Sequence, residues 1–152
     1  ARCPGCACRV ATWYTRAPTI GTYPCGFDEG SHVLGLIAGT RPRSNTIGYI
    51  ASFPMPEVGR GINAAYLAAK SVNPQVKFKV IWVSTWFDPG KEADVANARI
   101  VQGEDVLMQH TDYSSARQIA EKKGIYSCGQ AYDMINFGPN AQLTAIINNW
   151  GP

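Results

Sequence analysis

The chain has 152 residues, of which 45% are hydrophobic and 16% charged, and its formal net charge is +3. These values are typical of one globular domain with a buried core and exclude an intrinsically disordered chain. Because the basic residues are scattered and no apolar run approaches the roughly 20 residues that cross a bilayer, the sequence predicts neither nucleic-acid binding nor a membrane span.

Residues 1–22 have no sustained hydrophobic period, so we expect an atypical, disordered or irregularly packed leader there. Cys3, Cys6 and Cys8 crowd this segment. Structural zinc sites need a fourth ligand at a matching spacing, and neither His32 nor His110 offers one. The sequence therefore predicts no bound metal, and poor order around these three cysteines.

An ordered pattern begins at residue 23. Residues 23–43 are predicted to form an entering helix and a connector, because Val33, Leu34, Ile37 and Ala38 recur at helical spacing before Gly39. Strands and helices then alternate through residues 44–152. The predicted strands lie near residues 46–51, 78–84, 105–109, 125–129 and 143–147, and the later helices near residues 57–72, 89–102 and 115–123.

This alternation indicates right-handed βαβ units and hence a parallel sheet covered by helices on both faces. We therefore predict an α/β three-layer sandwich with a mainly parallel five-stranded sheet, in which residues 44–152 form a ligand-binding lobe. Ligands of such sheets bind beyond the carboxyl ends of the strands.

One turn, at residues 84–92, combines the features of such a binding loop. Asp88 precedes Pro89 and an early Glu92, the pattern of a helix N-terminus, and two aromatic residues stand just before it. Trp86 and Phe87 are equally well explained as ligand-stacking or as packing residues, because buried aromatics are common in cores.

The loops after the five predicted strands all emerge at one edge of the sheet and carry several more aromatic and acidic residues. Aromatic faces beside carboxylates suit a flat ligand with polar edges, such as a nucleobase or nucleoside. The predicted ligand-binding residues are Phe53, Trp86, Phe87, Asp88, His110, Asp112, Asp133 and Trp150.

Each polar member of this set also has a simpler explanation. His110 and Asp112 suggest acid–base chemistry, but no nucleophile stands beside them, and a hydrogen-bonding or packing role is the main alternative for His110. Asp112 and Asp133 fit caps of the helices that follow them. Trp150 fits a core anchor equally well, and Cys128, on a predicted buried strand, fits an inert small hydrophobic residue.

Several catalytic and cofactor motifs are absent from the sequence. It contains no glycine-rich dinucleotide fingerprint and no Walker-type phosphate loop, so no cofactor is predicted. The Gly-x-Ser-x-Gly motif of α/β hydrolases is also missing. These absences favour a binding protein over an enzyme.

Long motifs, in order, make the sequence resemble the basic membrane protein (BMP) family of ABC-transporter substrate-binding proteins, the purine-nucleoside-receptor group of type 1 periplasmic binding proteins. The resemblance covers about residues 21–152. It rests on SNTIGYIASFP at 44–54, RGIN at 60–63, VSTWFDPGKEA at 83–93, QHTD at 109–112, GQAYDM at 129–134 and NWGP at 149–152.

The resemblance implies a periplasmic or cell-envelope, lipoprotein-like component of an importer that binds purine nucleosides or nucleobases and works with a membrane permease. Family members close two lobes on their ligand, whereas this chain resembles one truncated lobe with the first lobe missing. Residues 1–20 do not resemble the family. The alternatives are an effector-sensing domain of a transcriptional regulator, which lacks support from any helix-turn-helix pattern, and a flavodoxin-like enzyme domain.

Overall fold

The computed structural model describes residues 8–11, 18–23 and 26–149. Two short strands, β1 (Cys8–Ala11) and β2 (Ile20–Tyr23), pair in parallel with each other. The remaining strands are β3 (Thr46–Ala51), β4 (Lys77–Trp82), β5 (Val106–Gln109), β6 (Tyr126–Gly129) and β7 (Gln142–Ala145). The helices are α1 (Phe27–Gly39), α2 (Pro56–Val72), α3 (Pro89–Val101) and α4 (Ser115–Lys123), with a 3₁₀ turn at Ile135–Phe137.

The predicted five-stranded sheet is confirmed, and all of its pairings are parallel, in the order β4-β3-β5-β6-β7. Helices cover both of its faces. On one face α1 and α2 pack over a core that includes Ile47, Tyr49 and Met108, and on the other face α3 and α4 pack over a core that includes Ile50 and Leu107. The alternation of these positions along β3 and β5 is the two-residue period of a strand buried on both sides.

Local sequence signals explain where the helices begin and end. Asp88 caps α3, with its Oδ1 accepting a hydrogen bond from the Lys91 N–H at 3.1 Å, and proline occupies the first turn. The helix α2 ends at Asn73, whose extended backbone is the conformation expected before a proline. The helix α4 ends at Gly124, whose φ of +68° is left-handed.

The expectation of irregular structure throughout residues 1–22 does not hold for the residues that form β1 and β2. A parallel pair leaves no short hairpin signal in the sequence, because its strands are joined by a crossover. Cys3, Cys6, Cys25 and Trp150 lie outside the described residues, so the prediction that the N-terminal cysteines bind no zinc stays a prediction. Among the described residues, no helix has the length and apolar character needed to span a bilayer.

Candidate functional site

The strand order places a topological switch point between β3 and β5. From β3 the chain moves to β4 on one side, and it then returns over β3 to β5 on the other side. Loops that leave two such neighbouring strands diverge to opposite faces and open a crevice at the carboxyl edge of the sheet. The loops after β3, β4 and β5 carry Phe53, Trp86 and His110, so the fold brings three predicted site residues to this crevice.

These three rings form one cluster. The ring centroids of Phe53 and Trp86 are 5.4 Å apart, and those of Trp86 and His110 are 5.8 Å apart, with tilted planes in both pairs. Trp86 is 38% exposed, so its ring is held by its neighbours and still offers surface to solvent. A half-exposed, laterally supported indole is a ready stacking platform for a planar ligand.

His110 is held in place by both main-chain and side-chain contacts. Its backbone N–H donates to the Ile50 carbonyl oxygen at 2.8 Å, and its Nδ1 lies 3.3 Å from the Ser52 hydroxyl oxygen. Burial lowers the pKa of His110, although the nearby carboxylates of Glu57 and Asp112 act in the opposite direction. A neutral imidazole in this position can accept or donate one hydrogen bond at the crevice.

A second aromatic pair extends the edge. Phe87 is 59% exposed and meets Tyr113 edge-to-face, with ring centroids 5.1 Å apart. The main chain joins the same two loops, because the Asp112 N–H donates to the Trp86 carbonyl oxygen at 2.9 Å. The loop after β4 and the loop after β5 therefore form one connected surface.

The three predicted carboxylates have different surroundings. Asp88 is the cap of α3 and also lies 3.8 Å from the Lys91 ammonium. Asp112 does not cap the next helix, because α4 begins after Ser114; partial burial raises the pKa of the Asp112 carboxyl. The interpretation of Asp112 as a helix cap was therefore wrong.

Asp133 is exposed, and it is not the cap of the 3₁₀ turn that follows, whose N-cap is Met134, so the interpretation of Asp133 as a helix cap was also wrong. Its Oδ1 accepts hydrogen bonds from the Ile135 N–H and from the Gln142 side-chain amide, both at 3.0 Å. The Gln142 bond is the main cause that holds the pKa of Asp133 below its usual value. Its second carboxylate oxygen remains at the surface of the carboxyl edge as an acceptor for a ligand hydroxyl or amine.

Two turns at this edge hold non-glycine residues in the left-handed region. Ser84, just after β4, has a φ of +54°, and Ala131, just after β6, has a φ of +70°. Such residues cost free energy and concentrate at functional sites, where the surrounding structure holds them. Here they redirect the chain into the loops that carry Trp86 and Asp133.

Sequence reasoning missed two buried charged residues close to the site. Glu92, in the first turn of α3, is fully buried, and burial raises its pKa to about 7. Arg117, in the first turn of α4, is also fully buried, and within the described chain none of its guanidinium nitrogens has a hydrogen-bond partner. A sequence signal existed only for Glu92, as an acidic residue at a helix start; no local pattern indicates that either side chain is buried.

Two cavities lie away from the aromatic cluster. One, of about 340 Å³, lies at the opposite, amino-terminal edge of the sheet, and the other, of about 440 Å³, lies between α2 and β4. Neither is bordered by Trp86 or His110. We favour the aromatic edge as the site because it combines the switch point, the strained turns and the exposed rings. Within the described residues, no group of three or more His, Cys, Asp or Glu side chains is placed to hold a metal ion.

This chain is similar to substrate-binding proteins of ABC transporters. The family model "ABC transporter substrate-binding protein PnrA-like" (Bmp) matches residues 16–152. A purine-binding protein of Brucella abortus (strain 2308) is 51% identical over 142 residues, which cover 93% of this chain and 41% of that protein. A Haloferax volcanii protein named for glucose binding in an ABC transporter is 41% identical over 140 residues, covering 92% and 36%. This chain thus spans about two-fifths of the length of these relatives.

Solved structures share the fold at low sequence identity. A solute-binding protein from Conexibacter woesei superposes with a TM-score of 0.65 at 18% identity, over 83% of this chain and 43% of that chain. A transcriptional activator of the comK gene from Bacillus halodurans superposes with a TM-score of 0.76 at 20% identity, over 95% and 50%. The predicted architecture, one lobe of a periplasmic binding protein-like fold, is confirmed.

Proposed function

This chain belongs to the family of PnrA-like ABC transporter substrate-binding proteins, and from that premise we propose that it binds a purine nucleoside or nucleobase at the aromatic edge of its sheet. The observation that carries the proposal is the Phe53–Trp86–His110 cluster, which supports a half-exposed indole at the switch point. Stacking on an aromatic side chain suits every base and contributes about 1–3 kcal/mol.

Polar groups around the cluster complement the edges of such a ligand. The neutral imidazole of His110 offers one donor or acceptor, and the exposed oxygen of Asp133 offers an acceptor for a ribose hydroxyl or an exocyclic amine. Asp112, exposed in the loop after β5, adds a further carboxyl group. Trp150 stays proposed as a further contact, because in the sequence it follows the last predicted strand.

The proposed role is ligand binding, without a catalysed reaction. We propose a binding protein that acts outside the cytoplasm, as members of its family do, and delivers its ligand to the membrane permease of an importer. The aromatic edge faces open solvent in this chain, so we propose that a second lobe of a longer protein covers the other face of the ligand. Burial on one side only would leave affinity weak.

A sugar is the second candidate ligand, because one relative is named for glucose binding. Aromatic rings also pack against sugar faces, but stacking on the exposed Trp86 ring gains most from a ligand that is itself planar and aromatic. An effector-sensing role in transcription is supported only by the shared fold. The exposed rings of Trp86 and Phe87 therefore favour a purine as the ligand.

Calorimetric titration of this chain with adenine, adenosine, guanosine and inosine tests the proposal, with ribose and glucose as matched non-aromatic ligands. We expect heat from at least one purine and none from ribose or glucose at the same concentration. Binding of glucose without binding of any purine would overturn the assignment. The Phe87→Ala variant should weaken the purine signal less than Trp86→Ala, because Phe87 belongs to the outer pair.

A further inference from the structure

The amino-terminal edge of the sheet, opposite the candidate site, gathers basic side chains that are scattered in the sequence. The helices run antiparallel to the strands, so their last turns meet the starts of the strands at this edge. Two hydrogen bonds show this meeting. Asn73, after α2, donates from its side chain to that of Asn45, before β3, and the Asn140 N–H, before β7, donates to Glu121 of α4, both at 2.9 Å. The exposed cations at this edge are Arg41, Arg43, Lys70, Lys77, Lys122 and Lys123.

These six cations have no acidic partner within the described chain, since none of them forms an ion pair there. The carboxylates of the same edge are engaged elsewhere. Glu104 is buried against Arg99, at 3.2 Å. Asp105 and Glu121 accept hydrogen bonds from main-chain N–H groups of the segments that precede β3 and β7. The amino-terminal edge therefore presents unpaired positive charge to its surroundings.

The carboxyl edge has the opposite charge. Its helix starts and loops carry carboxylates, among them Glu57, Asp88, Asp112 and Asp133. The exposed cations there are paired, because Arg60 lies 3.3 Å from the Asp28 carboxylate and Lys91 lies 3.8 Å from that of Asp88. The chain is thus electrically polar along its strands, and a flat anionic surface attracts one edge and repels the other.

Helix dipoles explain only part of this polarity. The lysines in the last turns of α2 and α4 are stabilised there by the carbonyl groups at the helix ends. Arg41 and Arg43 lie in the connector after α1, and Lys77 begins β4, so no helix end accounts for these three. Arg41 and Arg43 instead border the cavity of about 340 Å³ at this edge, which has room for a phosphate group.

We propose that the amino-terminal edge binds the phosphate groups of anionic phospholipids, so that the chain docks on a membrane surface with its candidate ligand site directed away from it. Two exposed valines at helix ends favour lipid over nucleic acid as the partner: Val72 is 44% and Val101 is 88% exposed. A lipid interface has an apolar layer beneath its phosphates, whereas a nucleic-acid backbone offers mainly charge. This inference stands independently of the ligand proposed above.

Co-sedimentation of this chain with vesicles tests the proposal. Vesicles of phosphatidylcholine alone are compared with vesicles of equal parts phosphatidylcholine and phosphatidylglycerol, in about 0.1 M and about 1 M salt, where the Debye length is about 10 Å and about 3 Å. We expect binding to the anionic vesicles at the lower salt concentration, and binding weaker by about tenfold or more at the higher one and to the neutral vesicles. Absence of binding to the anionic vesicles, or binding that salt does not weaken, overturns the proposal.

Two double variants with the same net charge locate the binding surface. Lys122→Gln with Lys123→Gln removes two cations from the amino-terminal edge and should weaken vesicle binding by about 25-fold, because each cation near an anionic surface contributes a factor of about five. Arg60→Gln with Lys91→Gln removes two cations from the carboxyl edge and should change binding by less than about twofold. An equal loss in both would mean that net charge alone drives binding, and would contradict docking through one edge.

A third double variant avoids the helices altogether. Arg41→Gln with Arg43→Gln changes only the connector after α1 and should weaken binding by about the same factor as the lysine pair. Unchanged binding in this variant would contradict docking through this edge. Circular dichroism and melting temperatures of the three double variants establish that a loss of vesicle binding is not a loss of folding.

Orientation and partner class are tested separately. In bicelles of the same lipids with a nitroxide-labelled headgroup, the amide signals of Val101 and Lys123 should broaden, and the Trp86 indole signal should not. Broadening at Trp86 would overturn the proposed orientation. Titration with a short DNA duplex tests the other anionic partner, and binding to DNA without binding to the phosphatidylglycerol vesicles would overturn the assignment to a membrane.

Discussion

Replacing Trp86 by alanine separates a role in binding from a role in packing. The side chain is 38% exposed and contacts Phe53 and His110. Because part of it is already in solvent, we expect a loss of about 1–2 kcal/mol in the free energy of unfolding, below the about 3–5 kcal/mol of a fully buried tryptophan. Loss of stacking should lower purine affinity by about 1–3 kcal/mol, which corresponds to a factor of about 5 to 150.

Trp82 supplies the matched control for this experiment. It ends β4 four residues earlier, is 41% exposed, and contributes to no contact of the aromatic cluster. Trp82→Ala should therefore lower stability by a similar amount and leave purine affinity unchanged. Calorimetric affinity and melting temperature are measured on the same samples. If Trp86→Ala behaves like Trp82→Ala, Trp86 is a packing residue and the site assignment is wrong.

Three further predictions concern stability, packing and ligand selectivity. Because Glu92 keeps its proton up to about pH 7 when folded but loses it near pH 4.5 when unfolded, stability should fall by about 3 kcal/mol as pH rises through this window and stay level above it. Glu92→Gln should remove that fall in chemical denaturation series. Gly35→Ala should lower the free energy of unfolding by at least about 2 kcal/mol in the same assay, since its methyl group would overlap the Ala65 main chain where α1 crosses α2. Gly59→Ala, whose methyl group meets nothing outside its own helix, should raise it by about 0.5–1 kcal/mol. Equal effects of the two substitutions would contradict this packing. Asp133→Asn should preserve the melting temperature, because an amide oxygen can accept the same two hydrogen bonds. It should weaken adenosine binding more than adenine binding. An equal loss of affinity for both ligands would exclude contact with the ribose.

Much of the fold was predictable because its signals are local. The bounds of α4 agree with the prediction, and α1 ends at Gly39 as expected, since amphipathic spacing and terminal glycines mark them. The parallel sheet followed from alternating strands and helices. The pair β1–β2 was not predictable, because parallel pairing between distant short strands depends on contacts that leave no local pattern.

The candidate site was predictable as a set of loops but not as a set of contacts. Chain order alone places Phe53, Trp86 and His110 at one edge; the strand order β4-β3-β5 decides that they touch. For the same reason, the sequence did not indicate that Tyr113 contacts Phe87 or that Glu92 is buried. A helix-start glutamate is usually solvated, and only packing against the loop after β5 removes this one from water.

The measurement that tests the central claim most directly is an adenosine titration of this chain followed at the Trp86 indole N–H resonance, with ribose as the control ligand. Resonance shifts detect weak, one-sided binding, which is what an open aromatic edge permits. Saturable adenosine-dependent shifts at Trp86 and at the signals of Phe53 and His110, with no response to ribose, are the predicted result. Unchanged Trp86 signals, or shifts confined to the cavity between α2 and β4, would contradict the account.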